Sequence, residues 1–288
     1  MKQDLDRRTP QEGSWAQKLQ GLPWWIIILL LAALWIVYSV VGSEKYRDAF
    51  LFLIPGMRLT VVLALISFAI SLVFGLLAGL GRVSKSKVYF TLATLYVEVI
   101  RGIPLLVQIL YVAFVIMPGV VVVLNWFGRV VYATGLTPLL SFGYRMAKLS
   151  IQDMDMTVRG VAALAFGYGA YEAEIFRAGI EAISKGQMEA ARSLGMSYFQ
   201  AMRYIILPQA IRVIMPPLGN DFIAMLKDTS LVSALAIREL TQLGKLYRGR
   251  TFRTFETWNT VAFLYLSMTL ILSLLVRGLE KRLSIDRA

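Results

Sequence analysis

Four stretches of this chain run the length of a bilayer crossing without a charged residue: Trp24–Val41, Leu59–Gly81, Gly102–Gly128 and Trp258–Val276. A helix needs about 20 largely apolar residues to cross the hydrocarbon core, and inside the core every backbone N–H and C=O must be satisfied internally. Such stretches have one destination in common. The composition agrees: 57% of the 288 residues are hydrophobic and 17% charged, against about 45–50% and about 25% in soluble domains. No period-2 alternation points to a barrel, so the class is an all-α integral membrane protein.

Two further spans are interrupted by charge. Val158–Ile180 contains Arg159, Glu172, Glu174 and Arg177, and Val213–Ile237 contains Asp221, Lys227 and Asp228. They are accepted because Val161–Tyr171, Phe222–Leu226 and Leu231–Ile237 are apolar runs that need burial. Six helical spans result, and the helix carrying Gly102–Gly128 is expected to start near Val88. Pro104, after Gly102, bends that helix or ends its regular hydrogen bonding. Residues 117–159, broken by Pro118-Gly119, Arg129 and Pro138, are read as an outer-face interfacial helix, with a two-pass hairpin as the other arrangement that keeps the parity. Gly75 and Gly79 form a small-xxx-small face suited to close helix packing.

The net charge of +12 belongs, in so apolar a chain, to cytoplasmic membrane faces rather than to nucleic-acid binding. Lys/Arg counts favour an inside N-terminus by a small margin, with the basic loop Lys245–Arg253 running against the bias. The absence of cysteine and histidine removes disulfides, thiolate nucleophiles, histidine acid–base chemistry and His/Cys zinc sites. No G-x4-G-K-[ST] segment provides a phosphate-cradling loop.

Between the two charged spans lies Ser184–Pro208, which reads as two short helices joined at a glycine. Ser184 with Gln187 and Ser197 with Gln200 fit capping boxes. Gly195 suits the left-handed position that ends a helix, and Leu207, preceding Pro208, is expected to end the second helix. Glu189 and Arg192, three apart, can pair on the surface.

The charged residues inside the spans are costly to insert and face a bundle interior or a water-filled cavity. Glu98 with Arg101 and Glu174 with Arg177 are three apart and can neutralise each other. Asp221 and Asp228, seven apart, share a similar helix face. A zwitterion needs an anionic and a cationic partner, so Glu98, Arg101, Asn220, Asp221, Lys227 and Asp228 are candidate pathway or gate residues. Pro216-Pro217 interrupts the helix before Asn220-Asp221, a recurring device beside midplane sites. An ion-coupled secondary transporter would account for these charges, and a membrane scaffold or an intramembrane hydrolase is a third class.

Glu189-Ala190-Ala191, Gly195, Ile205 and Leu207-Pro208 stand at the offsets of the EAA loop, EAA-x3-G-x9-I-x-LP, of ABC-importer permeases. Glu98–Gln108, Tyr171–Ile180, Leu218–Phe222 and Leu226–Leu231 are similar to stretches of the polar amino acid uptake permeases of the histidine/glutamine/arginine type. The resemblance covers about Gly56 to Arg282, outside 117–159, with Ile103 in place of a threonine. It implies a type I ABC-importer permease fold: a five-helix core (56–282) after an added helix 24–41, with cytoplasmic tails 1–23 and 283–288. It implies that Glu189, Ala190, Ala191, Gly195, Leu207 and Pro208 in loop 184–208 dock on a separate ATPase that binds ATP and Mg, this chain holding no cofactor. It further implies a second permease chain, an extracytoplasmic amino-acid-binding protein and a multi-pass place in the bacterial cytoplasmic membrane.

Overall fold

The computed structural model describes residues 24–135 and 137–283. The tails 1–23 and 284–288, assigned above to the cytoplasm, lie outside the described residues. Among the described residues the chain is helical throughout. It runs α1 (Trp24–Gly42), α2 (Glu44–Arg82), α3 (Lys87–Arg101), α4 (Leu105–Tyr111), a π segment (Val112–Ile116), α5 (Met117–Ala133) and α6 (Thr137–Ala147). A short 3-10 turn (Ile151–Asp153) leads to α7 (Met156–Glu181), α8 (Lys185–Ser193), α9 (Tyr198–Ala201), a second π segment (Met202–Ile206) and α10 (Leu207–Asp228). A 3-10 stretch (Thr229–Leu235), α11 (Leu240–Thr251) and α12 (Thr254–Leu283) complete it. Three of these helical runs, Glu44–Arg82, Leu105–Ala133 and Thr254–Lys281, are long and apolar enough to cross a membrane. α1 and α7 match two of the other expected spans, whereas the third, Val213–Ile237, is helical in α10 only as far as Asp228 and continues as the 3-10 stretch Thr229–Leu235. α7 has 26 residues and so reaches ~39 Å at 1.5 Å per residue.

α2 and α7 form the central pair, and small residues bring them together. A Cβ on Gly75 would lie 2.6 Å from Glu172 Cβ, and one on Gly79 would lie 2.7 Å from Phe176 Cβ. Without side chains at these positions the two backbones approach closely, the packing solution where lipid offers no hydrophobic drive. Leu63 of α2, Ile109 of α4, Ala163 and Leu164 of α7 and Val232 form one buried cluster. Leu53, Leu226, Leu240 and Leu264 form another, which ties α11 and α12 to α2.

The prolines behave in two ways. At Gly102–Pro104 the helix expected to start near Val88 is cut: α3 ends at Arg101 and α4 begins at Leu105. Pro104 has no N–H for the Ile100 carbonyl four residues back. The buried Gln108 amide supplies the missing donor, giving its Nε2 hydrogens to Ile100 O and Ile103 O at 2.6 Å each. Pro118 and Pro208 break nothing. Each follows a π segment, in which Met117 N–H reaches Val112 O and Leu207 N–H reaches Met202 O. The widened turn accommodates a residue that cannot donate. Leu207 therefore does not end a helix as expected; the chain continues through it into α10, which also runs on through Pro216-Pro217 without the expected interruption.

Residues 117–159 also depart from the expected interfacial helix. α5 prolongs the α4 run, and α6 returns antiparallel along it. Gly128 lies against Met146 and Ala147, and Gly143 against Tyr132. The segment is a helical hairpin, closed by glycines at both contact points.

Candidate coupling hairpin and charge cluster

The loop between α7 and α10 is built from caps. Ser184 caps α8, but the capping box with Gln187 does not form. The Ser184 hydroxyl accepts from Gly186 N–H at 3.3 Å, and Gln187 N–H turns instead to the Ser184 carbonyl at 3.0 Å. α8 ends at Gly195, whose φ is +84. Gly195 N–H donates to Arg192 O at 3.0 Å and Met196 N–H to Ala191 O at 3.1 Å, the paired bonds of a Schellman turn. Ser197 and Gln200 do form the expected box: Gln200 N–H donates to Ser197 Oγ at 3.2 Å, and Ser197 N–H to Gln200 Oε1 at 2.8 Å.

These caps leave a hairpin that buries small residues and displays large ones. Ala191, Ala201 and Ile206 are buried, while Glu189, Ala190, Leu207 and Pro208 are exposed. Leu194 and Phe199 are each 84% exposed, and Tyr198 and Tyr204 are exposed beside them. Glu189 and Arg192 do not pair with each other, and the exposed Glu189 carboxylate has no ionic partner among the described residues.

Between α7 and its neighbours the charges gather, but not as the i,i+3 spacing suggests. Glu98 and Arg101 do not pair with each other. Glu98 lies 3.6 Å from Arg82 of α2, and Arg101 lies 3.7 Å from Glu174 of α7. The Arg101 guanidinium also sits over the Tyr171 ring, 5.7 Å from its centroid. The cause is tertiary. Arg82 arrives from α2 and pairs with Glu174, and so draws the α3 charges across the helix boundary. Glu174 and Arg177 do pair within α7, at 2.8 and 3.0 Å, and Arg177 continues to Glu181. Glu174 thus meets three guanidinium groups and joins α2, α3 and α7 immediately before the hairpin.

The candidates of α10 divide. Asn220 and Lys227 are exposed. Asp228 accepts from the Tyr168 hydroxyl of α7 at 2.7 Å, while Asp221 is half-buried and its Oδ2 has no hydrogen-bond partner. Two buried acids lie outside the candidate set. Glu172 is 0% exposed; its Oε1 accepts from Ser71 at 2.7 Å and its Oε2 is unpaired. Glu239 caps α11, accepting from the N–H groups of Thr241 and Gln242 at 2.9 and 2.8 Å and from Tyr265 at 2.9 Å. An acid just before Leu240 was the available sign of that cap; nothing local marks the Ser71–Glu172 bond.

Comparison with known proteins gives this geometry its setting. Residues 71–285 match the family described as binding-protein-dependent transport system inner membrane component. The chain is 35% identical over 233 residues, 81% of its length, to the glutamine transport system permease protein GlnP of Escherichia coli (strain K12), 93% of which is covered. It is 36% identical over 236 residues to the probable glutamine ABC transporter permease protein GlnM of Bacillus subtilis (strain 168), covering 82% of this chain and 95% of that protein. A crystal structure of an amino acid ABC transporter with histidines superposes with a TM-score of 0.64 at 37% identity, covering 84% of this chain and 97% of that one. An inward-facing MetNI methionine ABC transporter shares the fold at 19% identity, with a TM-score of 0.59 over 81% of this chain and 96% of its own. The chain belongs to the binding-protein-dependent inner membrane component family, the permeases of ABC transporters, whose ATP-binding site resides on a separate subunit.

Proposed function

We propose that the chain is the membrane-spanning subunit of an ATP-driven importer of polar amino acids. The observation that carries this reading is the hairpin of α8 and α9. It presents Glu189 with the exposed rings of Tyr198 and Phe199, a surface that lipid would not keep charged and that a soluble subunit can cover. Glu189, Ala190, Ala191, Gly195, Leu207 and Pro208 form or support that surface. The partner is an ATPase dimer that holds ATP and Mg. Two permease chains, identical or not, enclose the pathway, and an extracytoplasmic binding protein delivers the substrate. The relatives named for glutamine transport support an amino acid cargo.

In this reading the hairpin and both termini face the cytoplasm and six spans cross the membrane. Closure of the ATPases moves α8, and the Glu174 cluster carries the motion into α2, α3 and α7. The pathway opens outward, and hydrolysis returns it inward. Asp221, Asp228, Asn220 and Lys227 of α10, with Glu98 and Arg101, are the groups proposed to meet or gate a zwitterion. An ion-coupled carrier is not favoured, since it would have no use for the exposed hairpin.

The test is co-purification with the ATPase, then ATPase assays against a panel of amino acids with the binding protein present. Stimulation by one or a few polar amino acids is expected. Glu189→Ala should lose stimulation or ATPase retention, whereas wild-type yield and transport in that variant would reject the coupling role.

A further inference from the structure

The corner between α11 and α12 carries exposed charge and aromatic surface to which the proposed function assigns no role. α11 turns Leu240, Leu243, Gly244 and Tyr247 inward, with Leu240 and Leu243 closing on Gly56 of α2. Lys245 lies opposite this face, and Arg248 and Arg250 lie at its two flanks, all three exposed. From Thr229 to Arg253 the sole acidic residue is Glu239, which is fully buried and engaged as the α11 cap. Lys245 donates to Ser233 at 2.9 Å, and Arg253 pairs with Asp48 at 3.1 Å. Arg248 and Arg250 have no acidic partner among the described residues.

Directly after these cations the chain turns through Phe252 in the left-handed region, φ 58, which a bulky side chain seldom adopts. Phe252 is 85% exposed and Phe255 80%. Phe255 and Trp258 lie on one face of α12, and the exposed stripe continues through Ala262, Leu270 and Leu274. The uncharged stretch from Trp258 to Val276 measures ~28 Å at 1.5 Å per residue, close to the thickness of a hydrocarbon core. With that stretch set across the core, Phe252 and Phe255, which precede it, would stand at its edge and the arginines of α11 farther out, near the depth of lipid phosphates. A guanidinium fits a phosphate bidentately, and aromatic rings anchor at this depth.

We propose that Arg248 and Arg250, on the two flanks of α11 and next to the exposed rings of Phe252 and Phe255, each bind a phosphate headgroup of anionic phospholipid in the outer leaflet. The inference rests on the orientation given under the proposed function. It accounts for the basic stretch Lys245–Arg253, which runs against the positive-inside bias: these cations are held outside by a lipid partner. A soluble acidic protein fits less well, because the rings adjoin the exposed apolar residues of α12.

The permease–ATPase complex, placed in nanodiscs of phosphatidylcholine with or without phosphatidylglycerol, tests this by native mass spectrometry of retained lipid. The wild type should retain phosphatidylglycerol several-fold over phosphatidylcholine, and raised salt should weaken the preference. Arg248→Gln with Arg250→Gln should abolish it. Lys85→Gln with Lys87→Gln, which removes two exposed cations at the opposite end, should leave it unchanged. Equal retention by the arginine variant and the wild type overturns the proposal. So does unchanged retention with loss of binding-protein stimulation, which would make the corner a protein dock. Since the chain has no cysteine, Arg250→Cys reads the orientation separately. Labelling by an impermeant maleimide from outside supports the outer leaflet. Labelling only after permeabilisation overturns that leaflet and the orientation beneath it, whatever the lipid count.

Discussion

The Ser71 hydroxyl donates to Glu172 Oε1 at 2.7 Å, joining α2 to α7 across 101 residues of sequence. One turn on, Gly75 makes the bond possible, because a Cβ there would lie 2.6 Å from Glu172 Cβ and 3.2 Å from its Oε2. Ser71→Ala leaves a buried carboxylate oxygen unsatisfied and should cost about 1–3 kcal/mol. Gly75→Ala, which forces α2 and α7 apart, should cost more. Thermal unfolding of the purified complex measures both, and an unchanged midpoint in Ser71→Ala would contradict the structural role given to this bond.

Glu174 is the centre of the charge cluster because Arg82, Arg101 and Arg177 all approach it. Glu174→Gln should destabilise the joint of α2, α3 and α7 and lower the coupling of ATP hydrolysis to transport. A double-mutant cycle with Arg82→Gln should return an interaction of about 0.5–3 kcal/mol, the range for residues sharing one network. Additive effects would mean that the two groups do not act on each other.

How far sequence alone reached can be read at single residues. The uncharged stretches were legible as spans because about 20 such residues have one stable environment. Gly195 was legible because only glycine takes the left-handed turn cheaply. Ser184-x-x-Gln187 and Ser197-x-x-Gln200 are equal as patterns, yet only the second forms a box; at the first, Gly186 N–H takes the hydroxyl. The Glu98–Arg101 pairing failed because spacing along one helix does not disclose that Arg82 arrives from another. Glu172 was visible as a charge in a span, but its partner Ser71 was not. Interior polar contacts of this kind are tertiary, and no local pattern carries them.

Asp155 caps α7, accepting from Thr157 N–H at 2.6 Å. Hydrogen bonds from Thr157, side chain first and then backbone, hold its carboxyl below the ordinary value of 3.8. A lowered value in the folded state means stability that is present above the unfolded value and lost as pH falls through the folded one. The cap should therefore be fully effective at neutral pH and weaken only below about 3.9. Asp155→Ala should cost about 1 kcal/mol at pH 7. Asp155→Asn should keep most of that and remove this site's contribution to the acid dependence. Unfolding midpoints at pH 7 and at pH values below about 3.9 distinguish the two variants, and equal losses in both at pH 7 would refute the cap.

Pro208 determines how the hairpin meets its span. In an unbroken α-helix its nitrogen would face the Tyr204 carbonyl without a hydrogen to give. The π segment Met202–Ile206 absorbs this, sending Leu207 N–H back to Met202 O. A π turn contains one residue more than an α turn, so its loss would rotate the hairpin against α10 by about 100°, one helical residue. Pro208→Ala restores the donor and removes the reason for the wide turn. The variant should unfold at an equal or higher temperature, since proline inside a helix costs about 3 kcal/mol relative to alanine. It should nevertheless lose amino-acid-stimulated ATP hydrolysis, because Glu189 and Phe199 would then point away from the ATPase. Pro118→Ala is the control: it follows the equivalent π segment Val112–Ile116, has the same helical chemistry and has no part in the hairpin, so coupling should persist. Intact coupling in Pro208→Ala, or equal loss in Pro118→Ala, would show that the π turn before α10 does not set the direction of the hairpin.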